Sequence, residues 1–131
     1  MDLESLIYNH LKTGDFIKAI TGDIYKIERP ANSLYEDVVI SMLPINNLQL
    51  QTGVANVNIH VPNLLINVNG VQQEMANISR LKQLFSLAQN ELKETLIDDV
   101  IFNIQQQIFF QEQESSYINI RLDIYSVNIL N

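Results

Sequence analysis

Two histidines, two acidic pairs and four isolated glycines are the residues of this chain whose types could support chemistry. His10 falls at the end of a first helical segment and His60 on the polar side of a strand. A zinc site would need both imidazoles and a carboxylate to converge from distant segments. Polar surface is the simpler account of each histidine. Asp98-Asp99 sits at a helix–strand junction, and Glu112 and Glu114 sit in a hairpin loop. Paired carboxylates do acid–base work only in a pocket that separates their pKa values, whereas both of these places favour solvated charge. Gly14, Gly22, Gly53 and Gly70 each mark a break between segments, and none belongs to a phosphate-cradling pattern. No nucleophile, base and oxyanion site assemble from the spacing, so the reading is non-enzymatic, with no catalytic residue, no metal and no cofactor.

Composition narrows the partners. The chain has 131 residues, enough for one hydrophobic core, and reads as a single domain over 1–131. A formal net charge of −7 with eight scattered basic residues argues against a face built for nucleic acid, whose phosphates need clustered Lys and Arg. No run of apolar residues is long enough to span a membrane. The first residues, Met1-Asp2-Leu3-Glu4, lack the pattern of a signal peptide. With no cysteine, disulfides and thiolate chemistry are out, and a cytoplasmic setting is expected.

The elements that would position these residues follow from periodicity. Leu3 to about Lys12 reads as a helix with Leu3, Leu6, Ile7 and Leu11 on one stripe, and Phe16, Ile17 and Ile20 as a short helical turn. Asp23–Glu28 reads as a short strand and Asp37–Leu43 as a longer one. In Val54–Val61, Ala55, Val57, Ile59 and Val61 face inward. Pro44 to Thr52 forms a long, protruding connection between these two strands. Leu64–Asn69 has no clear period, and Asn69-Gly70 is a turn or helix-start signal. A main helix is expected from about Val71 to Glu94, with Val71, Met75, Ile78, Leu81, Phe85, Ala88 and Leu92 on its buried stripe.

Asp98–Gln111 and Ser116–Asn128 then alternate as two long strands of an antiparallel hairpin. Val100, Phe102, Ile104, Ile108 and Phe110 share one face of the first, and Ile118, Ile120, Leu122 and Ile124 one face of the second. Gln106 would sit on that inward face unless a bulge in Gln105–Gln107 relieves it. The expected fold is α+β, an antiparallel sheet of long hairpins packed on one face by a long helix and an N-terminal helix, in the order α-β-β-β-α-β-β. Leu48 and Leu50 in the long connection, with Tyr117 and Tyr125 near the two ends of the last strand, are the candidate interface residues.

The order of segments carries a resemblance. An amphipathic first helix and Gly22-Asp23-Ile24-Tyr25 lead to Pro30 and the strand Val38-Val39-Ile40-Ser41. After a long connection come Ala55-Asn56-Val57-Asn58-Ile59-His60-Val61, then Asn69-Gly70, Arg80-Leu81-Lys82 and a closing pair of strands. This resembles the small tail-completion and tail-terminator (head–tail joining) proteins of long-tailed phages and prophages. The resemblance implies an α+β protomer that assembles as a homo-oligomeric ring at the head–tail junction or tail end. It implies phage connector or tail proteins as partners, and a bacterial cytoplasm or a virion as location. A second reading is a small-ligand-binding or protein-interaction domain of unrelated role, with a curved sheet leaving a pocket lined by Phe102, Phe110 and neighbours.

Overall fold

The computed structural model describes residues 3–43, 52–93, 95–97 and 100–126. Two helices, α1 (Leu3–Thr13) and α2 (Phe16–Ala19), precede strands β1 (Ile24–Lys26), β2 (Asp37–Met42) and β3 (Thr52–Pro62). A hairpin follows, β4 (Leu64–Val68) and β5 (Val71–Met75), then helix α3 (Ile78–Leu92). Strands β6 (Thr95–Ile97), β7 (Val100–Phe110) and β8 (Ser115–Ser126) close the described chain. Among the described residues, six strands form one sheet in the order β1-β2-β3-β8-β7-β6, while β4 and β5 pair only with each other. The α+β class is therefore as the sequence reads, with the helices on one face of the sheet.

Strict alternation in the two central strands builds the core. All eleven residues of β3 pair antiparallel with β8, setting Ala55 opposite Leu122, Val57 opposite Ile120 and Ile59 opposite Ile118. Paired residues in a ladder share a face, so these apolar side chains turn together toward the helices. Ile7 and Leu11 of α1, Phe16 of α2, and Leu81, Leu84, Ala88 and Leu92 of α3 cover them. Each Leu or Ile that is fully buried there stabilises by about 1.5–3 kcal/mol. The face remote from the helices carries Asn56, Asn58, His60, Tyr117, Asn119 and Arg121, all half-buried.

Three features depart from the sequence reading. The main helix begins at Ile78, not Val71, because Val71–Met75 is a strand of the β4–β5 hairpin. Asn69 and Gly70 both take positive φ, at 53° and 83°, as a two-residue type I′ hairpin turn requires. The helix start is instead fixed by Asn77, whose side chain accepts from the Arg80 amide. Next, β1 runs parallel to β2, so the sheet is mixed. Finally, a bulge between Ile104 and Gln106 shifts the phase of β7. Phe102 and Ile104 lie opposite Ile124 and Leu122 on the core face, but Ile108 and Phe110 lie opposite Asn119 and Tyr117 on the outer face. Phe102 and Phe110 thus occupy opposite faces and cannot line one pocket. Gln106 leaves the core face and pairs with Arg121.

One polar clamp joins α3 to the edge of the sheet. Arg80 donates from Nε and Nη2 to the two carboxylate oxygens of Glu36, at 2.7 and 2.9 Å, and also to the Ala19 carbonyl. Glu36 also accepts from the Thr21 amide, and its own amide donates to Thr21 Oγ1 at 2.8 Å. Nearby, Gly22 has no room for a side chain, since a Cβ would lie 2.5 Å from the Glu36 carbonyl oxygen. The Arg80 guanidinium holds the Glu36 carboxyl below the ordinary carboxylate range, outweighing the opposing effect of burial. A depressed folded pKa gives stability that is complete above the unfolded value near 4.5 and vanishes as pH falls through the folded one. Arg80→Met should therefore cost roughly 1.5–3 kcal/mol in urea unfolding at neutral pH. That deficit should shrink once the solution is acid enough to protonate Glu36, and Glu36→Gln should flatten the acid limb of the stability profile. An Arg80→Met protein as stable as the parent at neutral pH would contradict the clamp.

Candidate assembly surfaces

The sites most in need of an explanation are apolar groups left in water. In the β4–β5 hairpin, Leu64 lies opposite Met75, Ile66 opposite Gln73 and Val68 opposite Val71. One face of the hairpin is therefore nearly all apolar, while Leu65, Asn67, Gln72 and Glu74 occupy the other. Among the described residues, no helix covers either face: Val71 is 59% exposed and Met75 53%. A two-stranded hairpin with no packed face is marginally stable in water by itself. Its root, by contrast, is tied down. Asn63 donates from its amide to the Glu114 carbonyl and from Nδ2 to the Glu112 carbonyl, and the Glu114 amide donates to Glu74 Oε1.

A second exposed patch ends β7, where Ile108, Phe109 and Phe110 are each 41% exposed. Here the bulge places Phe110 against Tyr117, with ring centroids 4.9 Å apart and planes 19° from parallel. Tyr117 in turn meets His60 at 4.9 Å. The stack follows from register, because Phe110, Tyr117, His60 and Asp37 occupy one row across β7, β8, β3 and β2. Beside it, Asn119 Nδ2 donates to Asn58 Oδ1 at 2.6 Å and to Asn56 Oδ1 at 3.2 Å.

Of the candidate interface residues, Leu48 and Leu50 lie outside the described residues. Tyr117 is half-buried in the aromatic row, and burial followed by the nearby Glu112 charge pushes its phenol up. Tyr125 is exposed on the same face at the other end of β8, about 26 Å away at ~3.3 Å per residue. The structure thus does not bring the two tyrosines together. The surfaces the sequence reading missed are the β4–β5 hairpin and the Ile108–Phe110 patch. Asn-Gly flanked by apolar residues was the signal for the first.

The two histidines occupy separate settings. His10 Nε2 lies 2.7 Å from the Glu91 carbonyl, and its ring meets the edge of Phe102, so it ties α1 to α3 and is not simple polar surface. Glu112 and Glu114 are exposed in their loop, while Asp98-Asp99 falls outside the described residues. Among the described residues, no three His, Asp or Glu side chains gather as metal ligands, and no helix is long and apolar enough to cross a membrane.

The fold defined here, a mixed sheet under three helices with a projecting hairpin, has a counterpart among solved structures. No family model and no curated protein matches the chain. One solved structure, of a protein whose description states no function, superposes on 96% of this chain and 95% of its own with a TM-score of 0.58. At 11% identity, that likeness shows a shared fold alone.

His60 offers a direct check on the outer face. Burial, then the positive charge of Arg29, lowers its imidazole from an ordinary 6.5 to about 4, with Asp37 opposing. The unfolded chain therefore takes up this proton first, and stability falls as pH drops from about 6.5 toward 4. An NMR titration should find the His60 imidazole neutral at pH 5, with its midpoint near 4. His60→Gln should remove that part of the pH slope. A midpoint near 6.5 would mean the aromatic row is open to solvent.

Proposed function

We propose that this chain is a non-enzymatic structural protein of a phage or prophage virion, forming a homo-oligomeric ring at the head–tail junction or tail end. The observation that carries the reading is the β4–β5 hairpin, which holds an apolar face in water on a hydrogen-bonded root. An apolar surface of several hundred Å² on one face marks a contact with another macromolecule. A hairpin at one place and a bare strand end at another are different surfaces, as a head-to-tail contact needs. Such contacts close into rings when the rotation between copies permits. The segment order that resembles tail-completion proteins supplies the biological setting, with connector or tail proteins as neighbours. An acidic chain lining such a ring would let DNA slide past rather than adhere.

The alternative is a small-ligand-binding or protein-interaction domain. The observation favouring it is an open cleft of about 370 Å³ lined by Tyr25, Pro30, Ala31, Leu34 and Tyr35 among others. Its walls include Leu34, 77% exposed, and Tyr35, 60% exposed. Mass photometry and negative-stain imaging separate the two readings. The ring reading expects a closed assembly of more than two copies that co-purifies with connector or tail-tube proteins. A monomer at high concentration that binds none of these proteins would remove it and leave the cleft as the functional surface.

A further inference from the structure

We infer that strand β4 of one copy pairs with the open edge of β7 in a second copy, so that the hairpin extends the neighbour's sheet. The inference deepens the ring reading and rests on the self-assembly proposed there. Strand β6 pairs only with Val100, Ile101 and Phe102. Among the described residues, nothing pairs with that side of β7 from Asn103 to Phe110. An exposed edge of this kind is a template for another strand, and proteins usually blunt it with charge, proline or cover. Here the segment Asn103–Phe110 has neither charge nor proline, and its one irregularity is the bulge at Gln105.

Length, charge and pattern all select the hairpin as the occupant. Beyond the bulge, the regular edge runs from Gln106 to Phe110, five residues, and β4 is also five residues long. On a chain of net charge −7, β4 and β7 carry no charged residue at all. Two copies can meet there without bringing like charges together. β5 carries a charge, Glu74, that accepts from the Glu114 amide, whereas β4 carries none, so β4 offers the uncharged edge. With the apolar face of the hairpin beside Ile108 and Phe110, the neighbour's aromatic row gains Leu64, Ile66 and Val68 as its continuation. Asn67 then lies on the same side as Gln107.

The areas suffice. The exposed apolar residues of the hairpin and of Ile108–Phe110 together leave on the order of 600 Å² in water. Backbone pairing and the surrounding Asn and Gln carry the contact toward the ~1,200 Å² at which stable interfaces begin.

The absence of cysteine makes the pairing directly testable. Asn67→Cys and Gln107→Cys proteins, mixed under mild oxidation, should give one dominant disulfide-linked pair joining 67 to 107 by peptide mass. Asn67→Cys mixed with Lys12→Cys should not. Val68→Asp and Ile108→Asp, at exposed positions, should each reduce self-association at least tenfold in mass photometry while leaving the thermal transition unchanged. Mixing these two variants leaves one sound hairpin and one sound edge, and should restore a dimer that grows no further. If the wild-type ring forms but neither variant weakens it and no 67–107 link appears, the pairing is wrong and the ring reading survives. If the wild type stops at a two-fold dimer with the link present, the pairing stands and ring closure fails. A wild type that stays monomeric overturns both.

Discussion

The pairing of β3 with β8 is the constraint from which the rest of the molecule follows. These strands lie some sixty residues apart in sequence, so their ladder is costly in chain entropy until its buried face repays the closure. Both alternate without interruption, and every inward position from Ala55 to Val61 and from Ile118 to Ile124 is buried. A slip of one residue would turn Asn56, Asn58, Asn119 and Arg121 into the core, which fixes the register strongly. Once this ladder is set, β2 and β7 have only one edge each to join. The helices then have one apolar surface to cover.

The layered architecture was legible wherever a single period ruled. Ala55–Val61 and Ile118–Ile124 read correctly because strict alternation admits no helical account. Leu81, Ala88 and Leu92 are buried as three- and four-residue steps require, whereas Ile78, expected on the same stripe, is exposed at the first turn of α3. Val71 and Met75 were misread because a spacing of four satisfies both periods. Asn69-Gly70 fits both a turn and a helix start in the sequence, and the positive φ angles of a type I′ turn decide between them. Ile108 and Phe110 were assigned to the core because alternation from Val100 seemed continuous in the letters. The bulge between Ile104 and Gln106 adds one residue, enough to exchange the faces. The Gln105–Gln107 run signals such a shift in the sequence, and the residues beyond it change face with it. The parallel entry of β1 depends on how the chain crosses from Lys26 to Asp37, which no short pattern encodes.

These two departures share a physical origin. Both concern apolar residues that the chain does not bury against itself. Periodicity alone assigns apolar residues to the core by default, so apolar residues left on the surface are the ones it misplaces. The candidate interface was partly legible for the complementary reason. Tyr117 is recognisable as an aromatic on a polar face, yet its stacking on Phe110 and His60 depends on the phase shift in β7. The hairpin and the β7 tip are thus where local sequence rules and the isolated fold disagree.

The knot at the hairpin root has a mechanical consequence. Asn63 and Glu74 grip the same loop, Glu112–Glu114, that joins β7 to β8. A load applied to the arm would therefore reach the loop that joins β7 to β8 through these hydrogen bonds. In a chain of joined copies, each subunit would transmit the stance of the one before it to the one after. If copies join as proposed, such an array would behave more as a hoop than as beads on a string.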